Sequence, residues 1–155
     1  MKSYFCLFMI ASFLSGCSGQ TKVDGRLDAK GVAVALMVLD TARAVKTEAD
    51  FKLKVRVTNV GGALLPALGK EGDYFRVGAS YHWLGTDNRV VVWDGKMTFL
   101  SKDLGVGDSQ DFLMNIRAPS EEGVYILEID FLQNSAFWFA GVGSQVARVL
   151  VKVNK

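Results

Sequence analysis

Proline, cysteine and histidine are scarce in this chain: two, two and one in 155 residues. A structural zinc site needs four ligands, mostly Cys and His, so the single histidine, His82, has no set to join. A Ser-His-Asp site would have to be built on His82 alone, and no partner stands at a telling spacing. Charge of one sign is also lacking. A net charge of +2 is far from the basic excess of a nucleic-acid binder and gives no reason to expect an acidic substrate. No apolar run approaches the roughly 20 residues of a spanning helix. There is no internal repeat, no low-complexity tract, no Walker loop and no dinucleotide fingerprint; Asn59-Val60-Gly61-Gly62 reads as a turn. What remains is an ordinary composition, 50% hydrophobic and 22% charged, which fits one packed domain. No catalytic residue, metal or cofactor is expected.

The first sixteen residues are unlike the rest. Lys2 precedes an apolar stretch, Tyr4 to Phe13, with the length of a signal-peptide core. Then comes Leu14-Ser15-Gly16-Cys17, an aliphatic residue, two small residues and a cysteine. This resembles the lipobox of bacterial lipoproteins. Small residues let the peptidase close around the chain, and the cysteine thiol accepts the diacylglycerol. The resemblance implies residues 1–16 as a cleaved signal peptide and Cys17 as the lipid attachment site. In a Gram-negative bacterium it implies three acyl chains, palmitate among them, and stable membrane anchoring needs more than one. Ser18, standing where an inner-membrane retention signal would place Asp, implies the outer membrane. Removal of Cys6 with the signal leaves one cysteine and no internal disulfide, which a core of this size does not require. Loss of Lys2 leaves 17 cations against 16 anions, near +1. Residues 17–31, polar and glycine-bearing, read as a flexible tether.

From Val32 to Lys155 the dominant period is two. Phe51, Leu53, Val55 and Val57 alternate with Lys52, Lys54, Arg56 and Thr58, as in a half-buried strand with a solvated basic face. Val32 to Leu39 is a buried strand or an Ala-rich helix, and Asp40 to Asp50 a loop or short helix. Phe75 to Leu84 alternates Phe75, Val77, Ala79, Tyr81 and Trp83 inward, leaving His82 on the other face as a partly exposed strand residue. Gly85 to Asn88 is a turn. Arg89 to Trp93 is a strand, and Asp94-Gly95 reads as a hairpin turn into Lys96 to Leu100. Asp111 to Arg117, Val124 to Leu132 and Gln145 to Val153 complete the set. Seven or eight short strands at regular spacing indicate an all-β, immunoglobulin-like antiparallel β-sandwich over residues 32–155. Tyr125, just after Gly123, stands where a tyrosine corner would place it.

Separated motifs carry a further resemblance. They are Val57 to Gly62 followed by Pro66; Tyr81-His82-Trp83-Leu84; Gly95 to Leu100; Asp103 to Gly107; Ala118-Pro119 with Gly123-Val124-Tyr125; and Trp138-Phe139 before Gly143. In this order they resemble the immunoglobulin-like polysaccharide-binding C-terminal domain of polysaccharide ABC transporters. Similar modules occur on bacterial glycosyltransferases and methyltransferases. The resemblance implies a β-sandwich with carbohydrate as ligand. The expected function is therefore a lipid-anchored binding module of the periplasm or cell surface, recognising a cell-surface polysaccharide. The alternative is a protein-docking lipoprotein of an envelope assembly.

Sugar C–H faces stack on aromatic rings, and sugar hydroxyls need polar partners. Trp93 beside Asp94, and Phe137-Trp138-Phe139 in a loop bounded by Asn134-Ser135 and Gly141, are the candidate glycan-binding residues. The competing reading is that Trp138 and Phe139 plug one end of the core. Glu128 and Asp130 share a strand face, as a glycosidase carboxylate pair would. The plainer reading is an outward polar face.

Overall fold

The computed structural model describes residues 25–40, 44–69 and 72–155. The signal segment 1–16, Cys17 and Ser18 lie outside the described residues. Alternating apolar runs become strands β1 (Val34–Val38), β2 (Ala44–Lys46), β3 (Asp50–Asn59), β4 (Val77–Gly85) and β5 (Val90–Val92). They continue as β6 (Thr98–Phe99), β7 (Ser109–Arg117), β8 (Gly123–Gln133), β9 (Phe137–Trp138) and β10 (Ala147–Asn154). A three-stranded sheet of order β1-β3-β7 packs on a seven-stranded sheet of order β2-β10-β8-β4-β5, with β6 added to β4 and β9 to β8. The fold is an immunoglobulin-like β-sandwich. Of the two alternatives at Val32 to Leu39 the chain takes the strand, over Val34–Val38. Within Asp40 to Asp50, Ala44–Lys46 forms β2, which runs parallel to β10 with Ala44 opposite Lys152.

The inward faces interlock as their parity requires. Leu53, Val55 and Val57 of β3 meet Trp83 of β4 and Leu127, Ile129 and Phe131 of β8 in one core. Trp83 is fully buried, and its indole N–H donates to the Arg117 carbonyl at 2.8 Å. The Arg117 amide donates to the Tyr81 hydroxyl at 3.0 Å. Two aromatic side chains of the larger sheet therefore satisfy both backbone groups of one residue at the end of β7. Tyr125 forms its corner, its hydroxyl donating to the Glu121 carbonyl at 3.1 Å, as such a corner requires. On the basic face of β3, Arg56 donates twice to Asp111 of β7, at 2.6 and 3.0 Å. Through this hydrogen-bonded contact Asp111 raises the pKa of Arg56, and Arg56 lowers that of Asp111.

Two local readings are corrected. Gly25 to Gly31 was expected to belong to the tether, yet Leu27 is buried in the core. The buried Gln133 amide explains why. Its Oε1 accepts from the Leu27 amide at 2.8 Å, and its Nε2 donates to the Gly25 carbonyl at 2.9 Å. The second correction concerns Asp94-Gly95, expected as a hairpin turn. β5 and β6 do not pair with each other; both pair with β4, at Trp83–Leu84 and at Gly78–Ala79. Between them the Gly95 amide donates to the Tyr81 carbonyl at 2.9 Å. Residues 90–99 thus follow one edge of β4, and Gly95 marks an irregularity in it. A Cβ at Gly95 would stand 2.6 Å from the Tyr81 ring, so close approach of backbone to ring is what this glycine permits.

Candidate functional site

The outward face of β4 and β8 should, by parity, be solvated. It is buried instead. His82 is 1% exposed, Asp130 2% and Glu128 8%, which corrects the expectation of a partly exposed histidine and an outward carboxylate pair. The cover comes from two directions. The edge segment after β5 brings Trp93 beside β4, and the short hairpin of β9 onto β8 sets Trp138 opposite Leu132, on the outward face.

The rings and polar groups form one layer. The His82 imidazole stacks on the Trp93 indole with centroids 4.0 Å apart and planes 17° apart, and Trp138 tilts against His82 at 4.6 Å. The two indoles meet edge to face at 6.0 Å. His82 Nδ1 hydrogen-bonds to the Trp93 carbonyl. Since a carbonyl only accepts, Nδ1 carries the proton. Directly across the register, His82 faces Glu128 and Ser80 faces Asp130. Ser80 donates to the Gly95 carbonyl at 2.8 Å. Arg148 of β10 donates to Glu128 at 2.6 Å and reaches Asn88 in the β4–β5 turn at 3.4 Å. Asp130 accepts from the Phe131 amide at 2.7 Å and the Ala140 amide at 3.2 Å. Burial pushes its carboxyl up to about 6; the two amides pull against that, and Glu128 adds to it.

Of the five candidate residues, the fold brings Trp93 and Trp138 together. Trp93 is 49% exposed and Trp138 half-buried, while Asp94 is exposed beside Trp93. Phe139 is corrected to a core residue, fully buried against Phe131, with no surface to offer a ligand. Phe137 stacks on Phe139 at 5.7 Å and packs on the core from its rim, and it also lines the hollow beside Trp138. The competing core-plug reading therefore holds for Phe139, and Trp138 points the other way. A hollow of about 220 Å³ lies beside Trp138, floored by Leu132 and Ala136. A larger one, about 550 Å³, opens elsewhere between Asp50, Tyr81, Lys96, Asn115 and Arg117. Its charges are of mixed sign, with Arg117 already paired to Asp50 at 3.4 Å, and it has no exposed indole, so the Trp93–Trp138 face is the better candidate.

The arrangement can present flat aromatic surface with acceptors at its margin. It does not present a hydrolytic pair, because Glu128 is committed to Arg148, Asp130 to two amides, and neither lines the hollow at Trp138. Among the described residues no three His, Cys, Asp or Glu side chains gather into a metal-holding group. No helix of the described residues is long and apolar enough to cross a membrane. His82, Ser80 and Arg148 were not singled out as site residues by sequence. Only the β4–β8 register makes them neighbours of the indoles.

No protein-family model matches the chain, and no curated protein matches it. Several solved structures do. The CARDB domain of the PF1109 protein from Pyrococcus furiosus, in complex with di-metal ions, is 17% identical, with a TM-score of 0.45 over 79% of this chain and 87% of that one. A β-glucosidase from Listeria innocua in complex with glucose is 11% identical, with a TM-score of 0.48 over 80% of this chain and 16% of that one. Spo0M, a sporulation control protein from Bacillus subtilis, is 8% identical, with a TM-score of 0.43 over 81% of this chain and 50% of that one. None of these likenesses transfers a residue role.

Proposed function

We propose that this chain is a non-catalytic lipoprotein of the bacterial envelope that binds a cell-surface polysaccharide on the Trp93–Trp138 face. Acyl chains at Cys17 anchor it, after cleavage behind Gly16, in the outer membrane. The observation that carries the binding half is the pair of indoles held 6.0 Å apart over a buried polar layer. Stacking surface that is fixed before the ligand arrives loses little side-chain freedom on binding. Asp94 supplies an acceptor at the rim, and the hollow beside Trp138 supplies depth. The anchoring half rests on the lipobox. Intact mass measurement of the membrane-extracted protein should give the mass of a chain beginning at Cys17 plus three acyl groups; an unmodified, freely diffusing protein would end that half.

Calorimetric titration with purified exopolysaccharide and lipopolysaccharide tests the binding half. Trp138→Ala and Trp93→Ala should each weaken binding by roughly ten-fold, the scale of a lost aromatic contact of about 1–1.5 kcal/mol. Leu113→Ala, exposed on β7 in the other sheet, should leave affinity unchanged. Equal affinity in folded Trp93→Ala, Trp138→Ala and parent proteins would remove the site from this face. The docking alternative draws on one observation, the exposed valines of β5.

A further inference from the structure

We propose that β5 is a self-pairing edge and that two copies of this chain join through it, in antiparallel register, into one continuous sheet. β5 ends the path of the seven-stranded sheet, so one side of its backbone is paired to β4 and, among the described residues, no strand pairs with the other. Val90, Val91 and Val92 are 49%, 46% and 37% exposed. Three adjacent valines are exposed because the strand bulges: Val92 faces Trp83 and Val90 faces Leu84, leaving Val91 as the extra residue. Edges open to pairing are usually blunted by lysine, proline or an inward charge. The segment from Arg89 to Asp94 holds neither lysine nor proline, and the bulge is its one protective feature, limiting any pairing to a short stretch.

The choice of a second copy follows from the pattern Arg89-Val90-Val91-Val92-Trp93-Asp94. It is cationic at one end, anionic at the other and apolar between. Antiparallel pairing about an axis between Val91 and Val92 sets Arg89 against the second copy's Asp94, Val90 against its Trp93, and Val91 against its Val92. Each charge meets its opposite and each apolar residue an apolar one, twice over by symmetry, as an isologous contact demands. Arg89 is loosely held at home, its closest acidic partner being the exposed Asp87 at 3.8 Å. An axis normal to the sheet keeps both Trp93–Trp138 faces on the same side. The pairing does not rest on glycan binding and would form in its absence. So short an edge covers far less than the usual 800 Å² or so per partner, and the dimer should be weak and concentration-dependent.

Sedimentation velocity of the full-length protein, in mild detergent and without sugar, tests this. The parent should show a monomer–dimer equilibrium shifting to dimer as concentration rises. Arg89→Asp and Asp94→Arg should each weaken association roughly ten-fold or more, since each sets like charges opposite one another. The double swap should restore it to near the parent value. Thermal unfolding midpoints close to the parent's confirm that the variants are folded. A parent that is monomeric at every concentration would overturn the proposal. So would a dimer indifferent to both single swaps, or singles that the double swap fails to rescue.

Discussion

The imidazole of His82 lies flat against the indole of Trp93, 4.0 Å between centroids, and is closed on its flank by Trp138. A polar residue at the centre of a strand is thereby buried among rings, with its Nδ1 proton given to the carbonyl of the residue it stacks on. Replacing it should loosen both indoles together. His82→Ala is expected to destabilise the fold by about 2–4 kcal/mol, from a lost stack and an unfilled space. The near-UV circular dichroism of the tryptophans should weaken as well. Chemical denaturation and the aromatic spectrum check this; an unchanged near-UV spectrum would mean the indoles hold their places without the imidazole.

Asp130 gives this layer a pH dependence of known sign. Burial raises its carboxyl to about 6 from an ordinary value of 3.8, so the folded chain binds the proton more tightly than the unfolded one. Its contribution is most favourable in acid. Stability from this group falls as pH rises from about 4 to about 6 and is level above that, a total of roughly 3 kcal/mol at about 1.4 per unit. Asp130→Asn keeps an oxygen for the Phe131 and Ala140 amides but carries no charge. The variant should gain on the parent progressively between about pH 4 and about pH 6 in urea titrations, and the gap should then stay constant. Parallel stability profiles would show that the buried carboxylate costs nothing.

How much of this was legible depends on whether the information is local. The alternation in β3 placed Leu53, Val55 and Val57 inward because parity is a property of one strand. Tyr125 was legible because a corner spans only a few residues; its partner, the Glu121 carbonyl, came with the structure. The burial of His82, Glu128 and Asp130 was not. Parity put them on the outward face, and it is the cover from Trp93 and Trp138, 11 and 56 residues beyond His82 in the chain, that closes it. Trp93 and Trp138 were each readable as exposed candidates, but their meeting required the register of β8 between β4 and β9. Asp94-Gly95 misled because the dipeptide that favours a tight hairpin also suits an edge irregularity, and the difference lies in which strand it faces.

Gly95 supports a steric prediction. The Tyr81 ring that a Cβ would strike at 2.6 Å cannot swing away freely, because its hydroxyl holds the Arg117 amide. Gly95→Ala should therefore destabilise by about 1–3 kcal/mol, the cost of overpacking. In a Tyr81→Ala background, already weakened by a lost ring, the same substitution should cost nearly nothing. A double-mutant cycle in denaturant measures the coupling; additive effects would show that the ring yields.

Gln133 ties the segment Gly25 to Gly31 to the packed core. Its side chain, fully buried, bonds to Leu27 and Gly25 on one side and to the Phe75 carbonyl at 3.0 Å on another, joining the N-terminal segment to the start of β4. Gln133→Leu removes all three bonds while keeping comparable bulk, and leaves buried backbone groups without partners at about 1–3 kcal/mol for each that water cannot reach. Gly25 to Gly31 can swing out and hydrate, whereas Phe75 is held by its own amide bond to Asn134. The loss should thus be uneven. Hydrogen exchange is expected to quicken at the Leu27 amide by a large factor and hardly at all at Val55 or Leu127 in the core. Leu27→Ala should act in the same direction, since it withdraws the one side chain that draws this segment into the core. Protection at Leu27 that survives Gln133→Leu would mean the apolar contact alone holds this segment.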